Sequence, residues 1–121
     1  PSYRSKRLAI DTLEGVHIGN VMYYDLNAKK REVELGIMIG DKAYWNQGYG
    51  TDVVDILLDH LFSDLEMDMV YLHTLTWNER AQSSFAKSGF REAKPVRKGG
   101  QDFIRMEIKK GEWENCQSDP F

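Results

Sequence analysis

Read for the spacing of apolar positions, the chain has two textures. Over residues 7–12 apolar and polar positions alternate, and Glu14-Gly15 then supplies a turn. Residues 16–26 repeat the alternation through Val16, Ile18, Val21 and Tyr23, and Gly19 within them marks a bulge or a close backbone approach. Asp25-Leu26-Asn27 with Lys29-Lys30 reads as a polar hairpin connection. Residues 33–39 form a third strand, too apolar in its second half for a half-exposed position, which predicts a central place in the sheet. Three such strands in succession predict an antiparallel meander.

Between residues 51 and 65 the period changes. Val53, Val54, Ile56, Leu57, Leu58, Leu61, Phe62 and Leu65 fall at helical spacing and predict a long amphipathic helix. Residues 69–76 read as a strand, so the strand–helix–strand unit is expected to be parallel and right-handed. Residues 78–88 predict a shorter helix with Ala81 and Phe85 inward, stopped by Gly89. Residues 90–98 and 101–109 are two strands around Gly99-Gly100, a strong hairpin signal. The tail from residue 111 is expected to be loosely ordered apart from Trp113. No repeat and no linker interrupts this order, so residues 1–121 are read as one domain.

Composition narrows the function classes. The net charge is −3 and the basic residues are scattered in short groups (Lys29-Lys30-Arg31, Arg97-Lys98, Lys109-Lys110), which is a solvated edge rather than a nucleic-acid surface. The one cysteine, Cys116, stands in a polar tail, so an internal disulfide is excluded and a reducing compartment is expected. No apolar run reaches the roughly 18 residues that span a bilayer. The start is polar and basic with no apolar stretch after it, and no membrane partner is expected. These readings predict a cytoplasmic protein, and the absent initiator Met predicts a processed or truncated N-terminus. His17, His60 and His73 lie on different elements without ligand spacing, so no metal is expected. His60 is expected to be exposed; His73 faces the cleft, where it could be a substrate-side group, although a satisfied structural histidine is the favoured reading. Tyr23, Tyr24 and Trp77 are expected in the core or a pocket wall.

The segment Trp45-Asn46-Gln47-Gly48-Tyr49-Gly50-Thr51 joins the third strand to the long helix. Glycines at 48 and 50 let successive N–H groups turn into one concavity at the positive end of the helix dipole, where a pyrophosphate could be held by amides. Thr51 adds a hydroxyl or caps the helix. The same two glycines would also serve a plain tight turn. Neither a Walker loop nor a dinucleotide fingerprint is present, because no Gly-Lys-Ser/Thr and no third glycine follow.

This stretch resembles motif A of the GNAT acetyltransferases, Gln/Arg-x-x-Gly-x-Gly/Ala. With Glu34-Leu35-Gly36-Ile37-Met38-Ile39 before it, the phrase is similar to the RimJ/RimL-like branch, in which Trp45 takes the place of Gln/Arg. Asn78-Glu79-Arg80-Ala81 and Phe85-Ala86-Lys87-Ser88-Gly89-Phe90 are similar to motif B. The likeness runs from about Leu8 to Trp113.

The resemblance implies an α+β fold with a mixed sheet: an antiparallel meander, a parallel β-α-β unit and a C-terminal hairpin. It implies an enzyme that moves acetyl from acetyl-CoA to a primary amine, on a peptide N-terminus or a small molecule, by direct attack. It places the CoA pyrophosphate on Asn46, Gln47, Gly48, Tyr49, Gly50 and Thr51, and the pantetheine arm along the backbone of Ile37, Met38 and Ile39 with help from Asn78. An N–H near Met38 would polarise the thioester carbonyl.

Glu34 is the candidate base, fourteen positions before Gly48, where several family members carry a glutamate that deprotonates the amine through water. Strand alternation puts Glu34, Gly36 and Met38 on one face and Leu35, Ile37 and Ile39 on the other. A structural carboxylate paired with a nearby cation is the competing reading. Where the family usually has a tyrosine acid, this chain has Phe85, which donates no proton; Ser83 and Ser84 beside it read as helix surface. Relative to the family the first strand here corresponds to the second, so an N-terminal strand and helices are expected to be missing, and a homodimer would cover the apolar surface they leave. A CoA-binding or sensing module without turnover is the alternative function.

Overall fold

The structure is a computed structural model that describes residues 6–11, 14–15, 17–39 and 49–118. The elements are β1 (Lys6–Asp11), β2 (His17–Asn27), β3 (Glu32–Ile39), α1 (Tyr49–Asp59) continued by a π-helical turn (His60–Asp64), β4 (Met69–Leu75), α2 (Glu79–Lys87), β5 (Arg91–Lys98), β6 (Gln101–Lys109) and α3 (Lys110–Ser118). The strands form one six-stranded sheet in the order β1-β2-β3-β4-β6-β5. β1, β2 and β3 are antiparallel neighbours, β3 and β4 run parallel, and β4, β6 and β5 are antiparallel. The α+β architecture expected from the sequence is the one observed.

One face of the sheet carries Val21, Tyr23, Val33, Leu35, Val70, Leu72, Met106 and Ile108, all buried. They form a single core with Val54, Leu57 and Leu58 of α1 and with Leu61 and Phe62 of the π turn. The π turn closes with Leu65 N–H donating to the His60 carbonyl at 3.1 Å, and the wider turn puts Leu61 and Phe62 together at zero exposure. Each such side chain contributes roughly 1.5–3 kcal/mol by leaving water.

The local signals behave as the residue types require. Gly99 and Gly100 have φ of +57° and +79°, the pair of left-handed positions that a two-residue hairpin turn demands. Asn78 Oδ1 accepts from Ala81 N–H at 3.2 Å and caps α2, while Gly89, at φ +107°, ends it. The β1–β2 register slips beside Gly19, where the bulge was expected.

Three expectations are corrected. The tail is helical as far as Ser118, where the described residues end: α3 forms because Trp113 packs on Phe62 with ring centroids 5.3 Å apart and Glu112 accepts from Lys109 N–H at 2.9 Å and Arg91 Nε at 3.0 Å. Thr51 does not cap the long helix, since Tyr49 and Gly50 are already helical. For the same reason Gly50 needs no left-handed φ. Trp77 is 73% exposed rather than in a wall, because the chain leaves the sheet after Leu75 and turns into α2.

A clasp joins the two parallel strands at their base. The Arg31 guanidinium donates to the Glu66 carbonyl through Nε at 2.9 Å and Nη2 at 2.6 Å. The Arg31 carbonyl in turn accepts from Asp68 N–H at 2.7 Å and Met69 N–H at 3.1 Å. Arg31 and Glu66 hold φ of +57° and +55°, left-handed positions that cost non-glycine residues energy and that this set of hydrogen bonds sustains.

Candidate active site where two parallel strands part

β3 and β4 pair only at Glu32–Met69, Val33–Val70 and Glu34–Tyr71. β3 continues to Ile39 and β4 to Leu75. Each keeps its outer partner along that length: β2 lies beside β3 and β6 beside β4. From Leu35 and Leu72 onward the inner edges therefore share no ladder, and their unpaired backbone N–H and C=O groups need other partners. Thr74, in the parted segment of β4, also keeps a buried Oγ1 with no partner among the described residues. Such an edge can pair with an extended amide chain. Ile37, Met38 and Ile39, which the resemblance implies for the pantetheine arm, lie on β3 past its last rung with β4, and Ile37 packs partly against the core.

Glu34 stands on the last closed rung. Register carries a row of side chains across the sheet through it: Tyr24, Glu34, Tyr71, Glu107 and Arg91. The Glu34 side chain is 7% exposed. Its Oε2 accepts from Tyr24 Oη at 2.9 Å and meets His73 Nδ1 at 2.8 Å. With the carboxylate ionised, Nδ1 carries the imidazole proton, an assignment made from the hydrogen bond. Nε2 of His73 then holds a lone pair and has no partner among the described residues. The imidazole is flanked edge-on by Tyr71 at 6.0 Å and Phe103 at 6.5 Å. Beyond it, the Arg105 guanidinium lies 3.8 Å over the Tyr71 ring and donates from Nε to Glu107 Oε2 at 2.7 Å.

Burial, then the hydrogen bond to Glu34 and the negative charges of Glu34 and Asp25, pushes the Tyr24 hydroxyl well above the ordinary tyrosine range. Burial and then the Glu34 charge push Tyr71 up as well, against the opposing charge of Arg105. Both phenols are therefore neutral at physiological pH, and Tyr24 serves as a donor to the carboxylate.

Gly36 makes room for this arrangement. A Cβ there would lie 3.3 Å from Met22 Cγ and 3.3 Å from Tyr24 Cε1, so a side chain at position 36 would press on the tyrosine ring by a few tenths of an ångström. The β2–β3 register shifts just beyond Tyr24, between Tyr24 and Asn27, and Asp25 there has φ +54°. Bulges of this kind re-aim a strand next to a site.

Asn46, Gln47 and Gly48 of the predicted pyrophosphate cradle lie outside the described residues, as does Trp45. Tyr49, Gly50 and Thr51 form the start of α1. Asn78 is the cap of α2, and Phe85 packs on Phe90 at 5.8 Å within the apolar layer. The sequence offered His73 as a possible substrate-side group but favoured a structural role for it, and put Tyr24 in the core or a pocket wall; Tyr71 and Arg105 were not singled out. Alternation along β4 puts Tyr71 and His73 on one face, but the register that sets them against Glu34 is visible only in the folded sheet. Among the described residues no group of His, Cys, Asp and Glu side chains could hold a metal, and no helix is long and apolar enough to cross a membrane.

The model of the acetyltransferase (GNAT) domain matches residues 2–91, and the chain belongs to that family of N-acetyltransferases, whose acyl donor is acetyl-CoA. Among solved structures, a mutant of the spermidine N-acetyltransferase SpeG from Vibrio cholerae is similar at a TM-score of 0.87 and 24% identity, covering 97% of this chain and 72% of that one. A chimera of the same enzyme is similar at 0.85 and 24%, covering 94% and 72%. The spermidine/spermine N-acetyltransferase SpeG in complex with manganese ions is similar at 0.84 and 24%, covering 97% and 72%. At these identities the likeness carries the fold. No curated protein matches the sequence.

Proposed function

We propose that this domain transfers acetyl from acetyl-CoA to a primary amine by direct attack, with the carboxylate of Glu34 as the charge that drives removal of the amine's proton. The observation that carries this reading is the position of Glu34: buried, on the last rung before β3 and β4 part. A nucleophilic amine must be neutral, yet an alkylamine has a pKa near ~10, so a site that accepts its proton is worth roughly 10²–10⁴ in rate. Acetyl-CoA supplies the activated acyl group. The open edges of β3 and β4 would hold its arm, and the segment of Asn46, Gln47, Gly48, Tyr49, Gly50 and Thr51 its pyrophosphate. That segment's likeness to the RimJ/RimL-like branch, which acts on peptide N-termini, and the fold's likeness to spermidine acetyltransferases keep both amine types in view.

Phe85, without a hydroxyl at the family's usual acid position, favours a second reading in which the domain binds CoA as a sensor without turnover. One experiment separates them. Acetyl-CoA at a hundred times its dissociation constant should stabilise the protein by about 2.7 kcal/mol under either reading. Thiol release with a panel of spermidine, Ala-led peptides and small amines is expected only for the enzyme. Stabilisation with no thiol release from any amine would leave the sensor.

A further inference from the structure

We infer that His73 is the group that takes the proton from the acceptor amine, and that Glu34 acts through it as its positioning partner. This rests on the acetyl-transfer reading above and specifies its proton path.

Glu34 Oε2 already accepts two hydrogen bonds, from Tyr24 Oη at 2.9 Å and His73 Nδ1 at 2.8 Å, which uses both of that oxygen's lone-pair directions. The same bond to Nδ1 fixes the imidazole tautomer that leaves Nε2 as a proton acceptor. This is the geometry in which a carboxylate orients a histidine base and stabilises the imidazolium it becomes. The ring is held on three sides, by Glu34 from β3, Tyr71 on its own strand and Phe103 from β6; Arg105, the register partner of His73, stacks on Tyr71 and is neutralised by Glu107 at 2.7 Å. His73 lies two residues beyond the last rung with β3, on the parted length of β4. No other described side chain with a free proton-accepting nitrogen stands beside that opening.

The relay also answers the missing tyrosine acid. The ammonium proton moves to Nε2, and the neutral nitrogen forms the C–N bond to the thioester carbonyl carbon. The C–S bond breaks, and the thiolate takes the proton held on Nε2. The nitrogen's remaining surplus proton leaves to water, so an ammonium and a thioester give an amide, a thiol and one released proton. A group that both collects and returns the proton makes the hydroxyl absent at Phe85 unnecessary.

The test compares wild type, His73→Asn, Glu34→Gln and the double variant, using whichever of spermidine or an Ala-led tripeptide the wild type acetylates faster. Asn can still donate to Glu34 from the Nδ1 position but offers no basic nitrogen. The expected result is a fall in kcat of about 10²–10⁴-fold with KM for acetyl-CoA unchanged, and recovery as pH rises toward the amine's own pKa near ~10. The double variant should be no slower than the slower single one, because the two side chains act as a unit. In the wild type, nitrogen NMR of the His73 ring should show the proton on Nδ1. A His73→Asn variant with wild-type kcat would overturn the relay alone, as would a slow one with no recovery at high pH, or a proton on Nε2. A wild type inert to the whole panel would overturn the acetyl-transfer reading and the relay with it.

Discussion

The base and the mouth of the β3–β4 pair are built from the same two strands and obey opposite rules. At the base the strands are laddered and Arg31 holds the Glu66 carbonyl with two donors while its own carbonyl takes two amides. At the mouth, one rung past Glu34, the ladder stops and the inner edges are left for something else to pair with. The base resists separation so that the mouth can stay open without the sheet coming apart. Glu34 sits where one regime becomes the other, which is why a carboxylate 7% exposed is tolerable there: it has Tyr24 and His73 behind it and an opening beside it.

The largest effect that would break this comparison is at the junction itself. Glu34→Gln keeps the shape and can still accept from Tyr24, but it removes the charge. The rate of acetyl transfer is expected to fall about 10²–10⁴-fold at neutral pH, with partial recovery toward the amine's pKa and little change in acetyl-CoA affinity. Steady-state kinetics from pH 6 to 9 reads this directly. Wild-type turnover throughout would make Glu34 a purely structural carboxylate.

Next comes the clasp. Arg31→Ala removes the donors to the Glu66 carbonyl and leaves an alanine at φ +57°, a cost of about 1–2 kcal/mol given the partial exposure of the pair. Arg31→Gly loses the same bonds but relieves the backbone, so it should be the more stable of the two. Urea titration ranks them. The comparison predicts that turnover by the folded fraction stays near wild type in both, because the base is not the mouth. Equal stability of the two variants would remove backbone strain from the account of the clasp.

Gly36→Ala tests whether room beside Tyr24 matters. The added Cβ lies 3.3 Å from Met22 Cγ and Tyr24 Cε1, so both side chains must give by a few tenths of an ångström. We expect a loss of about 1 kcal/mol and a severalfold lower rate, as the ring is levered off Glu34. A crystal structure showing the 2.9 Å bond intact, with unchanged rate, would mean the glycine serves only the fold.

How much of this was legible in the sequence follows the same divide. The core face was readable because burial imposes a period: Val33, Leu35, Val70 and Leu72 announce themselves by alternation, and Val54, Leu57, Leu58 and Leu61 by helical spacing. Glu34 was named only through the family resemblance, at the offset before Gly48 where several members carry a glutamate, and its role is the proposal made above. The cleft-facing place of His73 was readable by alternation, but its pairing with Glu34 was not, because that contact spans thirty-nine residues of sequence and only the register of a parallel pair creates it. The helical tail was misread for a related reason. Its order comes from Trp113 reaching Phe62 and Glu112 reaching Arg91, tertiary contacts that override a polar, glycine-containing segment.

The smallest expected effect concerns Tyr24, and it sharpens the claim that Glu34 is charged and enclosed. Burial and the Glu34 carboxylate hold the Tyr24 hydroxyl above its ordinary pKa of about 10. An unfolded chain ionises this phenol near pH 10, while the folded one keeps its proton. Above that pH the unfolded state therefore binds fewer protons than the native state, and stability falls as pH rises. The contribution is fully present below pH ~10 and is lost through the alkaline range. Tyr24→Phe removes the titrating group, so its stability relative to wild type should improve between pH 8 and 10.5. The gain is at most about 0.8 kcal/mol for one phenol, and less because the ring keeps some contact with water. The Tyr24→Phe, Glu34→Gln pair isolates the cause. With the Glu34 charge gone, burial, the retained hydrogen bond and the Asp25 charge still raise the phenol, and the alkaline loss due to Tyr24 should shrink. Chemical denaturation of the four proteins at pH 8 and 10.5 completes the cycle. An alkaline loss that Glu34→Gln leaves unchanged would mean that burial and the other causes, and not the Glu34 charge, hold Tyr24 protonated through that range.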